Sequence, residues 1–176
     1  MRIQRVFAAA SVLVLAGFLI FPRVAAQEKK ISKKDVPSAV LAAFDKAYPH
    51  AKIRGTSTEV ENGRTYFEIE SVDGTQARDI LYNEDGTVAE VEEIISPGAL
   101  PAQVKTAVAK EFAKAKIVKV EKTTRGTGVS YEVHVSLGLK KGSIAVDPSG
   151  NVLEKNPLKM KKEKAEKEEE AEEEDD

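Results

Sequence analysis

The chain of 176 residues contains no cysteine and only two histidines. Without cysteine there is no disulfide, whatever the redox state of the compartment, and no thiol for lipid attachment. Nucleophile signatures are missing as well: there is no G-x-S-x-G, no Cys-His pair and no glycine-rich phosphate loop. The chain therefore reads as a non-enzyme, with no catalytic residue and no cofactor expected. Long apolar runs are confined to one place, the N-terminus. Arg2 and Arg5 precede an apolar stretch from Val6 to Phe21, and Val24-Ala25-Ala26 supplies the small residues before a cleavage point. At about 15 residues this stretch is shorter than the roughly 20 that cross a bilayer as a helix. Residues 1–26 read as a signal peptide cleaved after Ala26 rather than kept as an anchor. A periplasmic or secreted protein with no membrane span after cleavage is expected.

What is present is a repeat. Shifted by 64 positions without a gap, Val36 to Glu90 matches the chain again, with about a quarter of the pairs identical. Pro37 falls on Pro101, Val40 on Val104, Ala51-Lys52-Ile53 on Ala115-Lys116-Ile117, Ile80 on Ile144, and Gly86 on Gly150. Two copies of one small folding unit are implied, over residues 27–95 and 96–158. A unit of about 60 residues alone buries a thin core, so the copies are expected to dock on each other.

Residues 159–176 form a charge block, KMKKEKAEKEEEAEEEDD, with five Lys and ten Asp or Glu. Between Gln27 and Leu158 the charges balance, 19 basic against 19 acidic, so the mature net charge lies almost entirely in this tail. Its Lys-first, Glu-last order opposes the helix dipole, and it has almost nothing apolar to dock. It reads as a solvated, disordered tail that aids solubility.

Within each copy a helical pattern comes first. Val40, Ala43, Phe44, Ala47 and Tyr48 recur at helical spacing, as do Val104, Ala107, Val108 and Phe112. Pro37 and Pro101 suit a first turn, Asp35 or Ser32 is available as a cap, and Tyr48-Pro49 ends the first helix. Period two takes over afterwards. Phe67 and Ile69 point one way, against Tyr66, Glu68 and Glu70; Tyr131, Val133 and Val135 oppose Glu132 and His134. Strands over 53–60, 76–83 and 87–94 complete the first copy, and Asn83-Glu84-Asp85-Gly86 and Asp147-Pro148-Ser149-Gly150 are hairpin turns. Asn83 and Asp85 fit a turn better than a calcium loop, since Val88, Ala89 and Val91 stand where later oxygen ligands belong. The fold class expected is α+β: two tandem copies of a helix packed on a four-stranded antiparallel sheet, each sheet with its second face in water. Phe44 and Phe67, with Val108 and Tyr131 as counterparts, are expected to be the helix and sheet sides of each core.

An apolar-Pro-x-x-Val helix, an aromatic residue followed by Ala-Lys-Ile, a [FY]-Glu-[IV] strand and an [ND]-x-x-G hairpin, twice in tandem, resemble the PepSY-like, beta-lactamase-inhibitor-like family. The likeness runs from Val36 to about Leu153. It implies a secreted protein of two helix-plus-four-strand units whose concave sheet grips a partner, and no catalytic residue. This chain departs from the disulfide-bearing inhibitors in having no Cys.

The remaining candidates are polar. His50 falls in a loop and His134 on a strand, and neither has a second His close by in sequence. A zinc site would need carboxylates to complete it, so both are expected to be solvated side chains and no metal site is assigned. Glu68, Glu70, Asp79, Glu90 and Glu92 share one face if the strands pair as hairpins, with Arg64 and Arg78 the nearest compensators. The second copy offers Glu132 and His134 at matching places, so these seven residues are the candidate binding set. An acidic sheet face suits a cationic partner whose encounter it speeds. The expected function is an exported, non-enzymatic binding module, an inhibitor or regulator of a protein or peptidase partner, acting as a monomer without nucleic acid. The alternative is an envelope sensor or cation-binding protein that uses the first copy's carboxylates.

Overall fold

The computed structural model describes residues 27–160, so residues 1–26, expected to be a signal peptide, and residues 161–176 of the expected tail lie outside the described residues. The elements run β1 (Gln27–Lys30), α1 (Ser38–Ala47), β2 (Lys52–Glu61), β3 (Arg64–Asp73), β4 (Gln76–Tyr82) and β5 (Val88–Ile94). The second half repeats the order as α2 (Ala102–Glu111), β6 (Lys116–Arg125), β7 (Gly128–Leu137), β8 (Lys140–Val146) and β9 (Val152–Met160).

Both helices begin immediately after the prolines. Pro37 and Pro101 occupy the N-cap positions in extended backbone, and neither helix has a side-chain cap. The capping expected of Asp35 and Ser32 is not made; they belong to a 3-10 turn at Lys33–Asp35 that precedes the helix, and Ser32 makes no capping bond there. Tyr48 leaves helical space at φ −131°, and Phe112 does the same at φ −131° with no proline behind it. Proline is therefore not what ends the second helix. Phe112 turns into the core instead, where it is buried.

The nine strands of the described residues are antiparallel and pair in chain order in a single sheet. The four-stranded sheets expected of each copy are corrected here. β5 pairs with β6 from Val91↔Thr124 to Ile94↔Glu121, which joins the halves edge to edge. β1 adds a ninth strand along β2, from Gln27↔Val60 to Lys30↔Ser57. Joining removes two exposed strand edges, the sites at which open sheets aggregate.

Both helices pack on the same face, each over its own core. Val36, Val40, Phe44, Ile69, Ile80 and Tyr82 form the first, with Phe67 packed against its side. Leu100, Val104, Val108, Phe112, Val120, Val133, Val135, Ile144 and Val146 form the larger second, with Tyr131 at its side. The hairpin glycines lock helix to sheet. Gly86 (φ 84°) lies so close to α1 that a Cβ would stand 2.6 Å from the Ala39 carbonyl, and at Gly150 (φ 91°) it would stand 3.0 Å from that of Gln103. Asp85 accepts the Thr87 N–H at 2.9 Å and Asp147 that of Asn151 at 2.9 Å, which is turn chemistry.

Because Ile69 is fully buried and Phe67 only partly so, Ile69→Ala should cost about 2–5 kcal/mol in urea unfolding and Phe67→Ala less. Equal losses would mean that Phe67 is as central to the core as Ile69.

Candidate binding face

On the side of the sheet away from the helices, alternate residues of every strand meet across the ladders. Ser57, Glu68, Leu81 and Glu90 form one row through β2 to β5. Gly55, Glu70, Asp79, Glu92, Thr123 and Ser130 form the next, crossing from β5 into β6 and β7. The five carboxylates expected to share a face therefore do so, in two adjacent rows. A third row runs Ile94, Glu121, Glu132, Ala145 and Glu154, and beside it His134 stands opposite Lys119 and Ser143. All seven candidate residues thus belong to one continuous face.

The face is not fully open to water, as had been expected. Ser57 is 1% exposed, Leu81 2% and Glu90 6%. The Ser57 hydroxyl donates to Glu68 Oε2. Arg125 donates from Nε to Glu90 Oε2 at 2.6 Å and from Nη2 to Glu61 Oε2 at 2.8 Å. Burial works against the arginine's charge, but the two carboxylates outweigh it and raise its pKa. Arg125 is thus one compensator of this face, and Arg64, expected in that role, shares the face with Glu68 by strand parity. Arg78, expected in that role, lies on the helix side, donating to Glu93 at 2.9 Å and sitting 5.2 Å over the Tyr48 ring. The physical reason is parity: Arg78 is one residue from Asp79, so it points to the opposite face.

Charge is unevenly spread. Around the five carboxylates the first half adds Glu28, Glu59 and Glu61, the first two standing opposite each other between β1 and β2. In the second half a row of Lys116, Ser136, Lys141 and Lys159 crosses β6 to β9. Glu68 records the crowding. Burial raises its pKa; the Ser57 hydrogen bond pulls it down, and Asp79, Glu28 and Glu59 push it up further. Glu121 goes the other way: burial would raise it, but bonds from Lys119 and His134 prevail and hold it low.

Glu28, Glu59, Glu61, Glu121 and Arg125 were not among the candidates from sequence. Period two in Lys119-Val120-Glu121 was a usable signal for facing, but nothing local shows that β6 lies beside β5. The charged edge of β1 lay outside the repeat and had no partner to be compared with.

The family described as "Putative beta-lactamase-inhibitor-like, PepSY-like" matches residues 22–88 and again 65–154. The chain belongs to that family. Its fold resembles a structure from Bacteroides eggerthii described as "putative periplasmic proteins", at 21% identity over 69% of this chain and 88% of that one, TM-score 0.58. A DUF2874 family protein from Bacteroides uniformis is similar at 18% identity, 68% and 88% coverage and TM-score 0.57. A BLIP-like protein from Bacteroides fragilis is similar at 18% identity, 73% and 90% coverage and TM-score 0.53. At these identities the likeness is one of fold. No curated protein matches the chain. Among the described residues no helix is long and apolar enough to cross a membrane.

A raised carboxyl pKa means that the fold disfavours the ionised form, so the cost is present at neutral pH and disappears as pH falls through the raised pKa. Glu68→Gln should therefore raise the melting temperature at neutral pH by about 1–4 °C, with the gain fading toward acid. A lower melting temperature at neutral pH would show that the Ser57 bond to the carboxylate outweighs the burial and crowding.

Proposed function

We propose that this protein is an exported, non-enzymatic binding module that holds a positively charged protein or peptide on the open face of its sheet. The observation that supports this most is the gathering of Glu68, Glu70, Asp79, Glu90 and Glu92 in two adjacent rows of one sheet. Strand-borne side chains are positioned by the ladder, so a partner meets a preformed surface and pays little ordering entropy. The excess of carboxylates speeds the approach of a cationic partner and discriminates against acidic ones. Family membership supports an inhibitory or regulatory role toward a protein or peptidase partner. The periplasm as the place of action is supported by the N-terminal export pattern and by the description of the Bacteroides eggerthii structure. The protein acts as a monomer, and its acidic tail keeps an otherwise neutral body soluble.

A second reading rests on a specific cluster. Carboxylate oxygens of Glu28, Glu68 and Glu70 lie within 4.8 Å of one another. Three such oxygens suit a hard cation of the calcium type. On this reading the face senses or buffers a cation instead of gripping a protein.

One paired experiment separates the readings. Crosslinking capture from an envelope extract should yield a basic protein or peptide in stoichiometric amount, and Glu70→Gln/Glu92→Gln should abolish it without lowering the melting temperature. Capture unaffected by that variant would overturn the assignment of this face. Calorimetric calcium binding tighter than about millimolar, lost with Glu70→Gln, would instead establish the cation reading.

A further inference from the structure

His134 lies in the half of the face away from the acidic rows, with two carboxylates beside it. Glu132 precedes it by two residues on β7, so strand periodicity puts both side chains on the same face. Glu121 of β6 pairs with Glu132 across the ladder. His134 Nε2 lies 2.8 Å from Glu121 Oε2 and 3.7 Å from Glu132 Oε1. One ligand atom from each of the three lies within 4.8 Å of the other two, and all three side chains are half-buried. A cation is already drawn to this set, since Lys119 Nζ stands 2.6 Å from Glu121 Oε1.

The geometry points to Glu121, Glu132 and His134 as a three-ligand site for a borderline divalent cation of the zinc class. Two donors bound to zinc at its usual distances stand about 3.4 Å apart in a tetrahedron, a value that the two contacts of His134 bracket. One imidazole with two carboxylates suits zinc far better than calcium, which takes six or more oxygens. Three protein ligands leave the fourth position for water or for a partner's donor group. Binding replaces the direct His134–Glu121 contact and displaces the Lys119 ammonium from Glu121. The site does not depend on what the acidic half of the face binds, because none of its ligands belongs to the five carboxylates there.

Titration of the purified protein, tail included, with zinc chloride in a calorimeter tests the assignment. One equivalent should bind, and His134→Ala should weaken it by more than about 10–100-fold, the loss typical of disturbing only a supporting residue. Excess calcium should not displace the zinc. Lys119→Met keeps the three ligands and removes their competitor, so it should tighten binding by up to about fivefold, the worth of a surface ion pair. Absence of stoichiometric zinc binding, or undiminished binding by a folded His134→Ala protein, would overturn the site. Weaker binding by Lys119→Met would also count against it, since that result makes Lys119 a support and not a competitor.

Discussion

The ladder between β5 and β6 is the constraint from which the rest of the structure follows. Four cross-strand pairs, from Val91↔Thr124 to Ile94↔Glu121, turn two helix-plus-sheet halves into one nine-stranded sheet. A half of about 60 residues has a thin core and two bare strand edges. Edge-to-edge joining answers the second problem directly and the first only in part, because the two apolar clusters remain separate beneath their own helices. Arg125 reinforces the seam. It comes from the end of β6 and reaches both Glu90 on β5 and Glu61 at the end of β2. The 64-residue offset between Glu61 and Arg125 equals the repeat spacing, so the same position in the two copies carries opposite charges that meet across the sheet. A strict duplication would have placed like charges there, and divergence of the copies is what makes the joint favourable.

Continuity of the sheet also makes the outer face a single surface. Its rows of side chains cross the seam without interruption, from Glu70 through Asp79 and Glu92 to Thr123 and Ser130. One end is crowded with carboxylates, and burial, with that crowding added, raises the pKa of Glu68. The other end carries the Lys116–Lys141–Lys159 row and the cluster around His134. On the proposed function, such a dipolar face would orient a charged partner as well as attract it, a gain in encounter rate more than in final affinity. Leu81 and Tyr66 on the same face are buried, so little apolar surface is exposed among these charges.

Much of this was legible in the sequence, and what was legible was local or repeated. Helical spacing identified Val40, Phe44, Val104 and Val108 as core positions, and period two assigned the facing of Ile69, Val133 and Val135 correctly. The same parity placed five carboxylates on one face. Tertiary contacts were not legible. The capping role given to Asp35 went to a tight turn, because Pro37 already holds extended backbone at the helix entrance. Phe67 proved peripheral, packed against the side of the core, while Ile69 of the same strand is fully buried within it. The Arg78 error came from neglecting parity, and the omission of Glu121 and Arg125 from not knowing that β5 and β6 are neighbours. Pairing between strands distant in sequence leaves no periodic trace in either strand.

Hydrogen–deuterium exchange along the chain tests the central claim, that the two halves form one sheet. Amides bonded across Val91–Ile94 and Glu121–Thr124 should be as protected as those between β3 and β4, because both ladders open only when the sheet does. Fast exchange along that seam, with the interiors of both halves still protected, would mean two separate sheets and would contradict the continuous outer face.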